Sequence, residues 1–507
     1  MSQQPTDSIS RRDEQKLRAG RLGALAVAFF VISAAAPLTA MAGGAPFGML
    51  LGNGAGVPFN YLIVTVLMLV FAVGYVAMAR HHTSAGAFYS YVARALGGHA
   101  GGMAAWIALL GYNTMQIGLF GLWGVASSGF LAVAFGWNVP WWVTAFIALA
   151  VIAVLGYRQI DLSLKVLGIL VACEFLIVAI FDVMVLIKGG ASGTAGLEAS
   201  SFTFDTLLHG GPSMAQGLLF AAASFIGFEA TTIYSEEAKD PARTVPRATY
   251  IAVMTIGLFY TVTSWLMINA HGDPAHLRDY LVSKDLGGDP TNFLFTISVP
   301  YMGELLGVKV MLFLFASSLF AALLAFHNAV ARYAYALGRE GLVPEVLGHT
   351  HKKHLSPHMG SASQSVLAAI VVAVFAIRGM DPATTLFTWL TQLGTLAITY
   401  LMALSTIAVI VFFRRNPGLE PNPWRSLIAP ALATIGLTLL AIYSTQRFSF
   451  LIGSEDSPLG WLLPSLIPVA AIIGAVSADF LKRREPSLFD QMGRSRALQL
   501  HEPGLDD

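Results

Sequence analysis

The sequence predicts an all-α polytopic membrane protein with twelve transmembrane helices. Hydrophobic residues make up 55% of the 507-residue chain, charged residues make up only 12%, and the mean hydropathy is +0.66. A soluble protein carries about twice that share of charge. One or two soluble cores could not bury so much apolar surface, so the lipid bilayer is the expected solvent. Twelve apolar runs have the length of about 20 residues that a membrane-spanning helix requires.

The twelve predicted spans alternate in direction from a cytoplasmic N-terminus. They begin near Leu22, Pro58, Gly98, Pro140, Leu162, Ser213, Pro246, Leu305, Ser361, Ala383, Ser426 and Leu459. With this topology 23 of the 30 lysines and arginines fall in cytoplasmic segments and six in outer loops. The positive-inside rule therefore predicts that both termini are cytoplasmic, in a protein of the cell (inner) membrane. The polar start of the chain lacks a cleavage motif and is interpreted as a cytoplasmic tail.

Composition and motifs argue against several functional classes. Thirty basic and 29 acidic residues nearly balance, which gives no indication of a nucleic-acid partner. The single cysteine, Cys173, excludes an intramolecular disulfide and a multi-cysteine metal centre. The histidine-rich loop from His349 to His358 is interpreted as a solvated basic loop, so no metal site is expected. No nucleophile elbow, P-loop or His-Glu-x-x-His segment is present, and we expect no enzymatic activity, no catalytic residues and no cofactor.

Two of the predicted spans contain signals that interrupt a helix. The first span includes proline and paired glycines in the segment from Ser33 to Pro46, and these residues favour non-helical backbone. The sixth span has Gly227 beside the ionisable Glu229. Freed backbone groups are tolerated in a membrane only where they face protein, water or a ligand. Interruptions five spans apart are typical of an inverted-repeat transporter that binds its substrate between them. The alternative is a pair of kinks that serve helix packing.

The chemistry of an interrupted helix also suggests a substrate class. Half-helix N-termini suit a carboxylate, and unwound carbonyl groups suit an ammonium group. A zwitterion such as an α-amino acid would use both. A diamine would need only the carbonyl groups and Glu229, so this alternative stays open.

Other polar residues within the spans are candidates for function because a buried charge is costly in a membrane. Glu174 and Asp182 project about 80° apart on an ideal helix and could attract a cationic substrate from one cavity. Asn113 is a candidate substrate contact, although hydrogen bonding between helices is the more common use of such residues. The glycines at 118, 121 and 124 indicate close helix packing.

Three stretches resemble the amino acid-polyamine-organocation permeases. They are GAFYSYVARALGG from Gly86, GFEATTIYSEEAKDPARTVPRAT from Gly227, and NAVARYAYALGREGLVPEVL from Asn328. The resemblance implies a LeuT-type fold, with a five-plus-five inverted repeat, discontinuous helices 1 and 6, and two further C-terminal helices. The implied segments are a cytoplasmic tail at 1–21, a first repeat at 22–189, a second repeat at 213–414, two helices at 424–482, and a cytoplasmic tail at 483–507.

The resemblance also implies roles for individual residues. Lys165 matches a lysine that occupies a cation site in proton-coupled permeases, although a lysine reaching toward the cytoplasmic surface is the alternative. Glu229 matches the acidic residue of helix 6 that links substrate to gate, with a structural hydrogen-bond acceptor as its alternative. Permeases of this group usually carry Gly-Ser-Gly at the first interruption, where this chain has Ala34 to Thr39. The expected substrate-binding residues are Ser33, Ala36, Leu38, Thr39, Asn113, Phe225, Ile226 and Gly227.

We therefore expect a secondary transporter that moves amino acids by alternating access. Coupling to protons, or exchange, is expected, without dependence on sodium. A polyamine or other amine importer is the nearest alternative, and a non-transporting amino acid receptor or a channel is the alternative from another class. The sequence leaves the oligomeric state open.

Overall fold

A computed structural model describes residues 23–81, 87–158, 164–193, 196–229, 231, 240–351, 354, 356–453 and 456–493 of the chain. The helices of its first half are α1 (Ala24–Ala34), α2 (residues 39–53), α3 (Val57–Ala79), α4 (Ala87–Leu96), α5 (Gly98–Phe135), α6 (Trp141–Arg158), α7 (Leu164–Lys188), α8 (Phe204–His209) and α9 (Met214–Ala223). Those of its second half are α10 (Pro241–His271), α11 (Leu277–Leu281), α12 (Phe293–Glu304), α13 (Met311–Arg339), α14 (His358–Ile377), α15 (Thr388–Arg415), α16 (Ala429–Gln446), α17 (Ser449–Ile452), α18 (Leu459–Arg484) and α19 (Pro486–Asp490).

The described part of the chain is helical throughout and contains no β-strand. Within it, ten helical stretches are long and apolar enough to cross a membrane. The all-α prediction and the presence of multiple membrane-spanning helices are thereby confirmed. The first predicted span is divided into α1, of 11 residues, and α2, and the helix described in the sixth span is α9, of 10 residues. These are the two spans that the sequence predicts to be interrupted.

Helix α5 is the central packing element. At 38 residues it is the longest described α-helix, and it packs against α13, α15 and α18. Its glycines permit this close approach, because a Cβ atom at Gly118 would lie 2.7 Å from Thr391 Cγ2 and one at Gly121 would lie 2.3 Å from the Pro382 carbonyl oxygen. The prediction of close helix packing along this glycine spacing is confirmed.

The end of α2 and the start of α9 meet through backbone contact. A Cβ atom on Gly52 would lie 2.5 Å from Gly217 Cα, so only glycine allows this approach. The Ser213 N–H donates to the Gly52 carbonyl at 3.1 Å. Beside this contact the buried side-chain amides of Asn53 and Asn60 bond to each other. The two interrupted spans are therefore joined at one end by a tight glycine junction.

The opposite end of the helix bundle carries the short amphipathic helix α4. The guanidinium of Arg415 donates to the Ala95 carbonyl at 2.7 Å and ties α4 to the end of α15. A Cβ atom on Gly98, the first residue of α5, would lie 2.5 Å from two ring carbons of Phe489 in α19. A Cβ atom on Gly493, just beyond α19, would lie 2.9 Å from the Ala93 Cβ atom in α4. Helix α4 thus contacts both the bundle and the C-terminal segment.

The glycine junction predicts different effects for two glycine substitutions. In Gly217→Ala the added Cβ would lie 2.3 Å from both Asn53 Oδ1 and Asn60 Nδ2, so we expect a loss of about 1–3 kcal/mol of unfolding free energy from overpacking. Gly129→Ala is the matched control, because this glycine also lies inside a helix but has nothing within 4 Å of the added Cβ. The control should leave stability unchanged or raise it. The midpoint of thermal unfolding in detergent measures both, and equal midpoints would contradict the tight junction.

Candidate functional site

The first interruption lies between Ala34, where α1 ends, and Pro37, where helical backbone resumes. Ala36 has φ 47° and is the one non-glycine residue with positive φ among the described residues. An L-residue in this region is strained, because its Cβ crowds the following carbonyl oxygen. The hydroxyl of Tyr260, on α10, donates to the Ala35 carbonyl at 3.2 Å. A carbonyl that has left the helical pattern thus gains a side-chain partner.

A carboxylate from another span reaches this first interruption. Glu174 lies on α7 and is 1% exposed, and its carboxylate faces the Leu38 backbone N–H and the Ser318 hydroxyl. Thr39 in turn donates its hydroxyl proton to Ser318 Oγ at 3.0 Å. The second carboxylate oxygen of Glu174 is buried and has no hydrogen-bond partner among the described residues. One acceptor atom is therefore unused beside the interrupted backbone.

The second interruption follows α9 and has its own carboxylate. Gly227 has φ 112°, a conformation that favours glycine, and its N–H donates to Glu229 Oε2 at 2.8 Å. The hydroxyl of Tyr112, on α5, donates to Glu229 Oε1 at 2.7 Å. The Glu229 side chain is 2% exposed. It satisfies the backbone of the interruption and ties that backbone to α5.

Tyr260 connects the two interruptions. Its hydroxyl bonds to the Ala35 carbonyl, and its ring meets the ring of Phe225 at 6.2 Å between centroids. Phe225 and Ile226 are both buried in the segment that follows α9. The predicted residues Ala36, Leu38, Phe225 and Gly227 therefore lie on two interruptions that share a neighbour.

A small cavity borders the second interruption on the side of α3 and α15. Glu229 and Phe225 line it together with Met68, Thr395 and Thr399. Three of these residues come from helices outside the two interrupted spans. Space and polar groups thus adjoin the Glu229 carboxylate.

The remaining candidates have other partners. The Asp182 carboxylate accepts from the Thr263 hydroxyl at 2.7 Å, whereas Glu174 faces the first interruption. The side-chain amide of Asn113 donates to the Leu109 carbonyl of its own helix at 2.6 Å. Glu174 and Asp182 consequently contact different neighbours. The Asn113 side chain hydrogen-bonds within its own helix, α5.

Two predicted residues fall partly outside the described structure. Ser33 lies in α1 and Lys165 is the second residue of α7, but the side chains of both are outside the described residues. The roles predicted for these two side chains therefore stay predictions. Among the described residues, no group of three or more histidine, cysteine, aspartate or glutamate side chains could hold a metal ion.

Sequence reasoning missed three residues of this region. Tyr112, Tyr260 and Ser318 are supplied by α5, α10 and α13, and each meets an interruption or its carboxylate. Each is one of several polar residues in a predominantly apolar span. That signal marks a residue as a candidate, but only the helix packing shows which partner it meets.

A family model and curated relatives match most of the chain. A model described as amino acid permease matches residues 22–476. The low-affinity putrescine importer PlaP of Escherichia coli strain K12 is 24% identical over 433 residues, covering 84% of this chain and 88% of that protein. The branched-chain amino acid permease BcaP of Bacillus subtilis is 24% identical over 459 residues, covering 86% and 88%. The L-asparagine permease of Salmonella typhimurium is 25% identical over 359 residues, covering 67% of each chain.

A solved transporter structure shares the fold. The crystal structure of the Eremococcus coleocola manganese transporter in complex with an aromatic bis-isothiourea substituted compound aligns with a TM-score of 0.55. The identity is 16%, and the alignment covers 90% of this chain and 95% of that one. At this identity the likeness concerns the fold alone.

The backbone of the first interruption predicts the effect of changing Ala36. Ala36→Gly should raise the unfolding free energy by roughly 1 kcal/mol, because glycine adopts positive φ without the steric penalty. Ala36→Val should lower it, because a β-branched residue is strongly disfavoured there. Thermal unfolding in detergent compares the two variants with the wild type. An equal loss in both would contradict the left-handed conformation.

Proposed function

The chain belongs to the amino acid permease family, and we propose that it transports amino acids or related amines by alternating access around the two interrupted spans. It is a transporter and not an enzyme, and the relatives that match it are transporters too. The observation that carries the proposal is the pairing of interruptions at Ala36 and Gly227, each with a buried carboxylate and both in contact with Tyr260.

The proposed architecture has twelve spans in a LeuT-type arrangement. Residues 22–189 form the first repeat and residues 213–414 the second, followed by two helices at 424–482. The short helices α1 and α9 support this layout, since they fall at the first and sixth of the predicted spans. Both termini, at 1–21 and 483–507, are proposed to be cytoplasmic in the cell membrane, with the distribution of lysine and arginine as support.

The proposed substrate carries an ammonium group and binds between the interruptions. One carboxylate oxygen of Glu174 there receives no hydrogen bond from the described part of the chain, which suits an ammonium donor. Leu38 and Thr39 at the first interruption, and Phe225, Ile226 and Gly227 at the second, would surround the substrate. Ser33, Ala36 and Asn113 complete the proposed set of substrate contacts.

An amine importer is the second candidate because of Glu174. The Leu38 N–H, which would otherwise be available to a substrate carboxylate, faces the carboxylate of Glu174. A substrate without a carboxylate needs no such donor. A relative that is a putrescine importer and another that is a branched-chain amino acid permease support the two candidates in turn. Asp182 is proposed to add to the attraction of a cationic substrate.

Coupling is proposed to depend on protons and not on sodium. Glu229 would load and release the proton, because it is a buried carboxyl group at the second interruption with a hydroxyl and a backbone partner. Lys165 would place a positive charge near the inner end of α7, where a coupling cation would otherwise bind. Neither role requires a bound metal or cofactor.

Substitution of Glu174 tests the substrate class. If the substrate is a diamine, Glu174→Gln should weaken putrescine binding about tenfold or more, because it removes a charge-assisted hydrogen bond of about 1.5–3 kcal/mol. Glu304→Gln is the control, since this glutamate is exposed at the end of α12. Uptake of labelled putrescine and labelled amino acids by proteoliposomes measures the effect. Putrescine uptake that is absent in the wild type would exclude the amine candidate.

Substitution of Glu229 tests the coupling. Wild-type proteoliposomes with an alkaline lumen should accumulate labelled substrate against its gradient, with or without sodium. Glu229→Gln and Lys165→Ala should lose this accumulation, since the first cannot release a proton and the second lacks the fixed charge. Uptake driven only by sodium would contradict the proposal. Equilibration without accumulation under any gradient would favour a channel, and binding without uptake would favour a receptor.

A further inference from the structure

Three tyrosines and two glutamates form a continuous series that starts at the second interruption. The Tyr112 hydroxyl donates to Glu229 at one end of the series. The rings of Tyr112 and Tyr333 lie 6.0 Å apart, and those of Tyr333 and Tyr89 lie 5.8 Å apart. At the other end the Tyr89 hydroxyl donates to Glu340 Oε1. We call these five residues the tyrosine series.

The series runs from the interior of the bundle to its edge. Tyr112 lies within α5, Tyr333 lies two turns before the end of α13, and Tyr89 lies on the amphipathic helix α4. Glu340 directly follows the last residue of α13. In the proposed topology this edge is the cytoplasmic one. The series therefore connects the carboxylate proposed for coupling with the cytoplasmic surface.

Two polar atoms along the series are buried without a hydrogen bond. The Tyr333 hydroxyl forms none to the described residues, although the Tyr89 backbone N–H faces it. The same is true of Glu340 Oε2, which faces the Gly493 N–H. Buried polar atoms of this kind are usually satisfied by ordered water. The two gaps in the series, between Tyr112 and Tyr333 and between Tyr333 and Tyr89, thus share the Tyr333 hydroxyl, which can bind a water molecule.

We propose that Tyr112, Tyr333, Tyr89 and Glu340, joined by water, conduct protons between Glu229 and the cytoplasm. This inference rests on the proposed proton-coupled transport and names the residues through which its proton leaves. It assigns a function to Tyr89, Tyr333 and Glu340, which the substrate site does not use. The hydroxyl of Tyr112 serves both, since it also holds Glu229 in place.

The transfer balances without an ionised tyrosine. When Glu229 is protonated, the Tyr112 hydroxyl rotates so that it accepts from Glu229 and donates to a water molecule, the reverse of the hydrogen bond to the ionised carboxylate. Glu229 then gives its proton to the Tyr112 oxygen while the Tyr112 hydroxyl proton passes to that water molecule. That water passes a proton to Tyr333, and a second water continues the relay to Tyr89. Each hydroxyl gains one proton and loses one, so no tyrosinate persists, as the ordinary tyrosine pKa of about 10 requires. Glu340 accepts the last proton and releases it to cytoplasmic water.

The surroundings of Glu340 favour the protonated form of its carboxyl group. Burial raises the pKa of its carboxyl above the usual value, against the smaller opposing effects of the Tyr89 hydroxyl, the Gly493 N–H and the Arg339 charge. Tyr333 is the further titratable group that faces it. A raised pKa means that Glu340 holds a proton at a higher pH than a solvated glutamate does. At the other end, the groups that face the Glu229 carboxylate include the Tyr112 hydroxyl, the Gly227 N–H and the backbone N–H of Glu229 itself.

The experiment separates proton conduction from a structural link between α4 and α13. Tyr333→Phe removes one hydroxyl and keeps the ring contacts, and Glu340→Gln keeps the shape of the side chain. Tyr335→Phe is the matched control, because this tyrosine lies two residues further along α13 and its hydroxyl instead meets the Arg339 guanidinium at 3.5 Å. Two assays are made on proteoliposomes: exchange of labelled for unlabelled substrate at equal pH, and accumulation driven by an alkaline lumen.

The proposal predicts that the two assays diverge. Tyr333→Phe and Glu340→Gln should keep exchange, which moves no net proton, and lose accumulation by roughly tenfold or more. The control should keep both. Accumulation at the wild-type level in both variants would overturn the proton path, and so would a parallel loss of exchange and accumulation, which indicates a structural link. A wild type that exchanges without responding to pH would overturn proton coupling itself, while a wild type that does not exchange would contradict the proposed transport.

Discussion

Backbone N–H and C=O groups inside a membrane need hydrogen-bond partners, and the polar contacts at the two interruptions supply them. At the second interruption the Gly227 N–H donates to the carboxylate of Glu229. At the first, the Ala35 carbonyl accepts from Tyr260 and the Leu38 N–H faces the carboxylate of Glu174. Without these side chains, non-helical backbone in the middle of an apolar bundle would be prohibitively costly. The groups that satisfy the interruptions are therefore also the polar groups that a substrate would meet.

This double use of the same groups offers a physical basis for alternating access. A substrate ammonium that binds Glu174, or a proton that binds Glu229, changes the charge of a carboxylate that holds interrupted backbone in place. Binding of the substrate or the proton would then change which hydrogen bonds hold the backbone beside α1 and α9. A ligand can favour one conformation only through such a difference in contacts between conformations. The glycine junction of Gly52 and Gly217 also holds the end of α2 directly against the start of α9.

Sequence alone predicted the apolar spans and the two interruptions because these depend on local composition. Proline, glycine and alanine near Pro37 and the Gly227–Glu229 pair determine the backbone locally, so the break points followed from the sequence. The partners depend on how each helix is rotated in the bundle, which the apolar periodicity of a fully buried helix does not reveal. For this reason the contact of Glu174 with the first interruption, and the roles of Tyr112 and Tyr260, emerged only from the fold.

The central claim, that substrate binds between the two interruptions, is tested most directly by protection of introduced cysteines. Replacing the single native cysteine by Cys173→Ser allows Thr39→Cys and Ile226→Cys to be labelled one at a time with a membrane-permeant thiol reagent. The exposed Glu304→Cys serves as the reference position. The account predicts that a transported substrate slows labelling at both interruption positions and leaves the reference rate unchanged. Unaltered labelling at both positions, in variants that still transport, would contradict it.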